Sequence, residues 1–317
     1  MKIVPIPPLR TNTTFKNLVL AVGVFDGLHR GHQKLIKQVI ARARKINGTA
    51  GVLTFSPHPA QVLDRHFDLS LLVSLAHRLR LMEALGVDVC FVIHFTKAFS
   101  RVSAVDFVKK YLSQHLKAKD IFIGCNFHFG RKREGSSDVL KTAAQKYKIR
   151  IHAIKPLCCQ GDIVSSSSLR TLVAKGNLRL AKKYLGRAVS IFGRVAHGDG
   201  RGRRLKFPTA NINPGQEILP PRGIYVVEVL CAGQIYQGVA NIGFRPSFKK
   251  SKKINVEVHI FNFKRNIYGR SIEVRFLKKI RNERKFLRKE HLCEQMERDK
   301  QEARRYFLRE KHHSFHQ

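Results

Sequence analysis

Residues 23–32 read GVFDGLHRGH, and the segments on either side of them decide the fold. Upstream, LVLAVGV (18–24) is a short unbroken apolar run of the kind that forms a buried strand. Downstream, HQKLIKQVIARARK (32–45) puts Leu35, Ile36, Val39 and Ile40 on one helical face. The decapeptide is therefore a strand-to-helix turn. Gly23 and Gly27 let the backbone approach a ligand closely. A helix opening near Gly31 adds unpaired N–H groups and the positive end of its dipole. His29 and His32 stand three apart across that helix start, so both imidazoles can lie on one side and bind one anion. Such a pair could also begin a zinc site, but no third ligand has suggestive spacing. No G-x-x-x-x-G-K-[ST] run occurs, which excludes a P-loop. With Asp26 in the same turn, the segment reads as a site for in-line transfer at a phosphate.

The same rhythm continues outward. GTAGVLTF (48–55), VDVCFVIHF (87–95), IFIGC (121–125) and IRIHAI (149–154) read as strands, with helical patterns over 75–86, 102–116 and 139–147 between them. This alternation predicts a doubly wound parallel-sheet α/β domain, whose ligands sit beyond the carboxyl ends of the strands. Two short helical segments, SSSSLRTLVAKG (165–176) and NLRLAKKYLGR (177–187), then lead to a different period. VSIFGRVA (189–196), GIYVVEVL (223–230), QIYQGVANI (234–242), INVEVHIF (254–261) and SIEVRFL (271–277) alternate apolar and polar residues. They predict a small antiparallel β-barrel, closed by a charged helical tail over 283–310. The expected boundary lies near Leu185, giving domains 1–184 and 185–317. In the barrel strands, Glu257 and Glu273 face away from the apolar side, and by pattern alone either is a solvated outer residue. GDGRGRRLKFPTANI (198–212) has glycines suited to covering a phosphate, and equally suited to a plain hairpin connection.

Bulk properties narrow the class. A chain of 317 residues, 43% hydrophobic and 26% charged, has the length of two globular domains. No stretch of 18 uncharged apolar residues predicts a membrane span, and the proline-broken N-terminus is a poor leader, so no membrane partner is expected. Six cysteines without a Cys-x-x-Cys pair suit reduced thiols in a cytoplasmic protein. The net charge of +38 would draw polyanions, with clusters at 131–133, 201–206 and 249–253. No zinc-finger spacing, aromatic RNP string or basic heptad helix accompanies it, so no dedicated nucleic-acid partner is expected. Oligomeric state leaves no mark in the sequence.

Taken together, GxFDGxHxGH resembles the signature of the HxGH nucleotidyltransferases. TFSPHP (54–59), IGCNFHFGRKREG (123–135) and VSSSSLR (164–170) follow in the order of prokaryotic FAD synthetase modules. That resemblance implies ATP bound along Gly23, Phe25, Asp26 and Gly27, with His29 and His32 as catalytic groups on its phosphates. It implies Asn126 near Mg-ATP and the flavin phosphate, Phe129 against the flavin, and Ser166, Ser167 and Arg170 neutralising the triphosphate. Further on, GRRLKFPTANI, PRGIYVVEV (221–229), GVANIGFRPSF (238–248) and VEVHIFNFKRNIYGR (256–270) follow the motif order of riboflavin kinase. Here the resemblance implies Gly202, Thr209 and Asn211 as the Mg-ATP site, with Thr209 and Asn211 toward Mg2+, and Glu257 as general base. The chain departs from the family pattern at His128, where Arg is usual, at Ser167–Ser168, where Thr-Arg is usual, and at Lys206, where Gly is usual. Both halves together resemble the bifunctional riboflavin kinase/FAD synthetases, which implies that ATP phosphorylates riboflavin to FMN and then adenylylates FMN to FAD with release of pyrophosphate. Two rival readings are retention of only one activity, and a basic nucleic-acid-binding protein on the same scaffold.

Overall fold

The structure, a computed structural model, describes residues 1–6, 15–64, 69–127, 130, 135, 137–198, 202, 205, 207–244 and 254–314. Contacts divide the chain into two compact units, Met1–Leu71 with Leu75–Ser166, and Leu72–Ser74 with Ser167–Gln317.

In the first unit the apolar runs become six strands: β1 (Lys2–Ile6), β2 (Val19–Val22), β3 (Ala50–Ser56), β4 (Val89–His94), β5 (Asp120–Gly124) and β6 (Arg150–Ile154). All neighbours pair in parallel, in the order β1-β4-β3-β2-β5-β6. The reason β2 lacks alternation is visible in its packing. Leu18, Leu20 and Val22 enter one core with Leu53, Phe91 and Leu112, whereas Val19 and Ala21 enter the other with Ile36, Val39 and Met82. A strand buried on both faces needs apolar residues at every position. Between the strands run α1 (Arg30–Lys45), α2 (Pro59–Leu63), α3 (Leu75–Ala84), α4 (Ala104–Asp106) and α5 (Ser137–Gln145). The chain continues from α4 as a π-helix over Phe107–His115. Strand β2 has β3 on one side and β5 on the other, so the order of the sheet reverses there. The turn after β2 thus opens at the switch point where doubly wound sheets bind ligands.

Strand β1 is an addition to the reading of the sequence, in which KIVPI was weighed only as part of a poor leader. It pairs with β4 from Lys2↔Val89 to Ile6↔Ile93. A second addition is the two-residue pair β7 (Cys158–Cys159) and β8 (Asp162–Ile163), too short for any periodic signal.

In the second unit, α6 (Ser166–Ala174) and α7 (Leu178–Leu185) precede a closed barrel. Its strands are β9 (Val189–Ala196), β10 (Ala210–Ile212), β11 (Gly223–Cys231), β12 (Gln234–Phe244), β13 (Ile254–Ile260) and β14 (Ser271–Arg281). Every pairing is antiparallel, in the order β10-β13-β12-β11-β14-β9. The period of two explains which side is core: Ala240, Ile242, Val256 and Val258 are 0% exposed, and the polar residues between them face outward. The three residues of β10 end the stretch read as a loop or hairpin connection, and they pair with both β13 and β9. Terminal helix α8 (Lys289–Ser314) lays Ala303 and Phe307 against Val226 and Phe261. It begins six residues later than the charge pattern suggested. Before it, Arg281 leaves β14 to pair with Asp299 at 2.7 Å, and Arg284 stacks on Phe286 at 4.7 Å. No helix among the described residues is long and apolar enough to cross a membrane.

One buried charge ties the first unit together on the side away from the turn. Asp120, the first residue of β5, is 0% exposed and takes Arg150 through two hydrogen bonds of 3.0 and 2.9 Å. His152 lies 2.8 Å from the same carboxylate, and Arg42 of α1 lies 3.3 Å away. Burial alone would raise its pKa, but the His152 and Arg150 hydrogen bonds and the two arginine charges outweigh burial and hold it below the usual value. The stabilisation is therefore present above the unfolded-state pKa of about 3.9 and is lost as pH falls through the lower folded value. Replacing Asp120 by Asn (D120N) is expected to cost about 3 kcal/mol at pH 7 by urea denaturation. The gap from wild type should shrink below about pH 4. A gap unchanged by acid would refute this account.

Candidate functional site

The turn after β2 is built from backbone that few residues adopt. Phe25 has φ 55°, Gly27 φ 78° and Leu28 φ 42°, and the short 3₁₀ turn Asp26–Leu28 leads into α1. Only glycine reaches such angles freely, so the conformation is held by neighbours. Ser166 Oγ donates to the Asp26 carbonyl at 2.9 Å, and Gln33 Nε2 donates to the Leu28 carbonyl at 2.9 Å. Gly23 leaves room for the Phe25 ring, which a Cβ there would meet at 3.1 Å.

His29 caps α1, its Nδ1 accepting from the backbone N–H of His32 at 3.4 Å. The two imidazoles stack with centroids 3.6 Å apart, and Phe25 meets His32 edge-on at 5.2 Å. Both rings thus lie on one side of the helix start, as the three-residue spacing predicts. Burial, then the neighbouring charges of His29 and Arg78, hold the His32 pKa well below the usual imidazole value. His32 is accordingly a neutral hydrogen-bonding group at neutral pH. Its Nδ1 is buried and has no hydrogen-bond partner among the described residues.

A cavity of about 330 Å3 opens over this turn, within the range of small-molecule sites. Gly23, Phe25, Asp26, His29, His32 and Ser166 line it, and Asn126 reaches it from the end of β5. Gly27 lies in the same turn. Ser167 and Arg170 follow on α6, in the second compact unit, and are not among the lining residues. His128 and Phe129 lie outside the described residues, as do Lys206 and the basic clusters at 131–133 and 249–253. The cavity also includes Lys155 and His58, which the reading of the sequence did not single out. Lys155 follows the last residue of β6, so the rule that ligands sit beyond strand ends would have found it.

The barrel carries a second polar constellation on its outer face. Antiparallel register sets Asn211 of β10 opposite Glu257 of β13, and Asn241 of β12 opposite the same Glu257. Asn255 donates its amide to Asn211 Oδ1 at 2.8 Å and to Glu257 Oε1 at 3.2 Å. Glycine is required beside this row: a Cβ on Gly198 would lie 2.1 Å from Asn211 Nδ2, and one on Gly202 would lie 3.0 Å from Thr209 Oγ1. Gly202, Thr209, Asn211 and Glu257 are thereby brought to one end of β10. Alternation alone left the two barrel glutamates equivalent, and packing separates them. Glu273 is 4% exposed and paired with Arg275 at 3.2 Å, whereas Glu257 is half-buried beside three amide side chains. Burial lowers the pKa of neighbouring His259, whose Nδ1 lies 2.9 Å from the Pro208 carbonyl.

Comparison with known proteins places each half. Residues 11–168 match the family described as FAD synthetase, and residues 185–307 the one described as riboflavin kinase. Proteins named bifunctional riboflavin kinase/FMN adenylyltransferase match along nearly the whole length. The one from Haemophilus influenzae is 36% identical, covering 93% of this chain and 96% of its own. The Escherichia coli K12 protein is 37% identical, covering 91% and 92%. A solved structure, titled a macrolide-efflux protein from Streptococcus pneumoniae, superposes with a TM-score of 0.83 at 29% identity, covering 96% of this chain and 99% of that one. These matches lend no support to a single-activity enzyme or to a nucleic-acid-binding protein on this scaffold. Carrying both domains in this order, the chain belongs to the bifunctional riboflavin kinase/FMN adenylyltransferases.

Proposed function

We propose that the two polar constellations are the two active sites, and that each half-reaction runs in its own domain. We set the functional boundary at Leu185, with residues 1–184 adenylylating FMN and residues 185–317 phosphorylating riboflavin. The observation that carries the assignment is the separation of the residues: the stacked histidines lie in the parallel-sheet unit and the Asn211–Glu257–Asn241 row in the barrel.

In the barrel, Glu257 accepts the proton of the riboflavin primary hydroxyl as its oxygen attacks the γ-phosphorus of ATP, and ADP leaves. Asn255 fixes one Glu257 oxygen and so orients the carboxylate. Gly202, Thr209 and Asn211 receive the nucleotide phosphates. The oxygen donors of Thr209 and Asn211 suit Mg2+, and the space that Gly198 and Gly202 leave over them fits an ion that keeps phosphate and water ligands. Bound there, Mg2+ would neutralise charge on the phosphates.

In the N-terminal domain an FMN phosphate oxygen attacks the α-phosphorus of ATP, the bond to the β-phosphate breaks, and pyrophosphate leaves. No enzyme-bound intermediate is needed. His29, His32 and the N–H groups opening α1 bind the phosphates, along Gly23, Phe25, Asp26 and Gly27. Asn126, which lines the cavity, meets the flavin phosphate and would help to hold Mg2+ there. Ser166, whose hydroxyl holds the Asp26 carbonyl, completes the anion site. All six cysteines are free, which suits the reducing cytoplasm where we place the enzyme.

Incubating the full chain with riboflavin, ATP and Mg2+ is expected to yield FMN first and then FAD, with pyrophosphate equal to the FAD formed. Excess EDTA should stop both steps. Chromatography showing FMN but no FAD, or unimpaired turnover in EDTA, would refute the respective half of this reading.

A further inference from the structure

Beneath the turn that carries the histidines lies an arginine outside every motif considered so far. Arg78, on α3, is 5% exposed. Its Nη1 donates to the Val24 carbonyl and, at 3.3 Å, to Thr54 Oγ1, and its Nη2 donates to the Phe55 carbonyl at 3.2 Å. Thr54 is 0% exposed and donates its own hydroxyl to the same Val24 carbonyl at 3.0 Å. One guanidinium therefore joins the carboxyl ends of β2 and β3 at the root of the turn.

The root needs such a joint. Phe25 and Leu28 both hold left-handed backbone, and non-glycine residues there persist only where surroundings fix them. Ser166 and Gln33 hold the carbonyls of Asp26 and Leu28, while Arg78 and Thr54 hold that of Val24. The charge of Arg78 acts on the same segment. It attracts Asp26, which is 3% exposed, and disfavours a proton on His32. A role limited to filling the core fits poorly, because Arg78 Nε is buried and has no hydrogen-bond partner among the described residues. Apolar side chains of similar volume often stabilise as well as a buried charge. Arg78 does not line the cavity, so any effect on substrate passes through the turn.

We propose that Arg78 is a positioning residue for adenylyl transfer, holding the Val24–His32 turn so that its N–H groups and both imidazoles face the triphosphate. This rests on the adenylyltransferase reading above. The test uses full-length R78M, R78K and T54V, each assayed for FMN adenylylation and for riboflavin phosphorylation. Since misplacing a reacting group by about 1 Å costs on the order of a hundredfold, R78M should lose about that factor in adenylylation kcat. Its KM for FMN and its kinase activity should stay within about twofold of wild type, which a general loss of structure would not allow. R78K keeps the charge and three donors and should recover to within about tenfold of wild type. T54V, nearly isosteric, should lose a smaller factor, again in kcat. Adenylylation by R78M within about threefold of wild type overturns the proposal, and so does R78K as slow as R78M, or a loss confined to the KM for FMN. If R78M loses both activities through misfolding, R78K and T54V decide by the same criteria. A wild-type chain that makes no FAD from FMN would instead refute the adenylyltransferase reading itself.

Discussion

Replacing Glu257 by glutamine (E257Q) is expected to lower riboflavin phosphorylation by about 10²–10⁴-fold, the usual contribution of a general base, and to leave FMN-to-FAD conversion unchanged. Glutamine keeps the length of the side chain and the oxygen that accepts from Asn255. What it removes is the basic, negatively charged oxygen, so the loss should fall on kcat rather than on the KM for riboflavin. The neighbours on either side, Asn211 and Asn241, are uncharged amides and offer no substitute base. Glu273 is no substitute either, being buried and paired with Arg275 on another part of the wall. A variant retaining phosphorylation within about threefold would remove Glu257 from the chemistry.

The complementary result is expected from His32. H32A should lower FMN adenylylation by about 10²–10³-fold, the cost of losing one preorganised donor to a phosphate, with riboflavin phosphorylation intact. The pH dependence carries more information than the size. Burial and the charges of His29 and Arg78 push the His32 pKa well down, so the proton is already absent at pH 6.5 and above. The ratio of wild-type to H32A activity should therefore be flat from pH 6.5 to pH 8.5. A ratio that grows toward acid would mean that His32 works protonated, and the neutral donor would have to be abandoned. Loss of both activities in either variant would tell against independent sites.

The course from sequence to site was uneven, and the reasons are physical. The turn at 23–32 was legible because everything it needs is local: two glycines, two histidines three apart, and periodic segments on each side. Strand β2 was legible for the same reason, its doubly buried faces leaving an unbroken apolar run. Arg78 was not, because nothing within α3 marks which of its arginines turns inward toward carbonyls 23 and 54 residues away. The barrel shows the same contrast. Five strands announce themselves by alternation, but β10 is three residues long and is specified by its partners on both sides. Pattern could not separate Glu257 from Glu273, since both sit at outward positions; only cross-strand register shows that Glu257 has an asparagine on each flank.

The closure of the barrel by β9 and β14 sets an order of events during synthesis. The parallel sheet of the first unit is complete once Ile154 has been made, whereas β9 waits for β14, which ends at Arg281. At about 5–20 residues per second, the ribosome spends on the order of ten seconds between those points. From the completion of β9 at Ala196 onward, the emerging barrel exposes strand edges that could pair with other chains. A chain stalled there would hold a complete parallel sheet attached to an open, adhesive half-barrel.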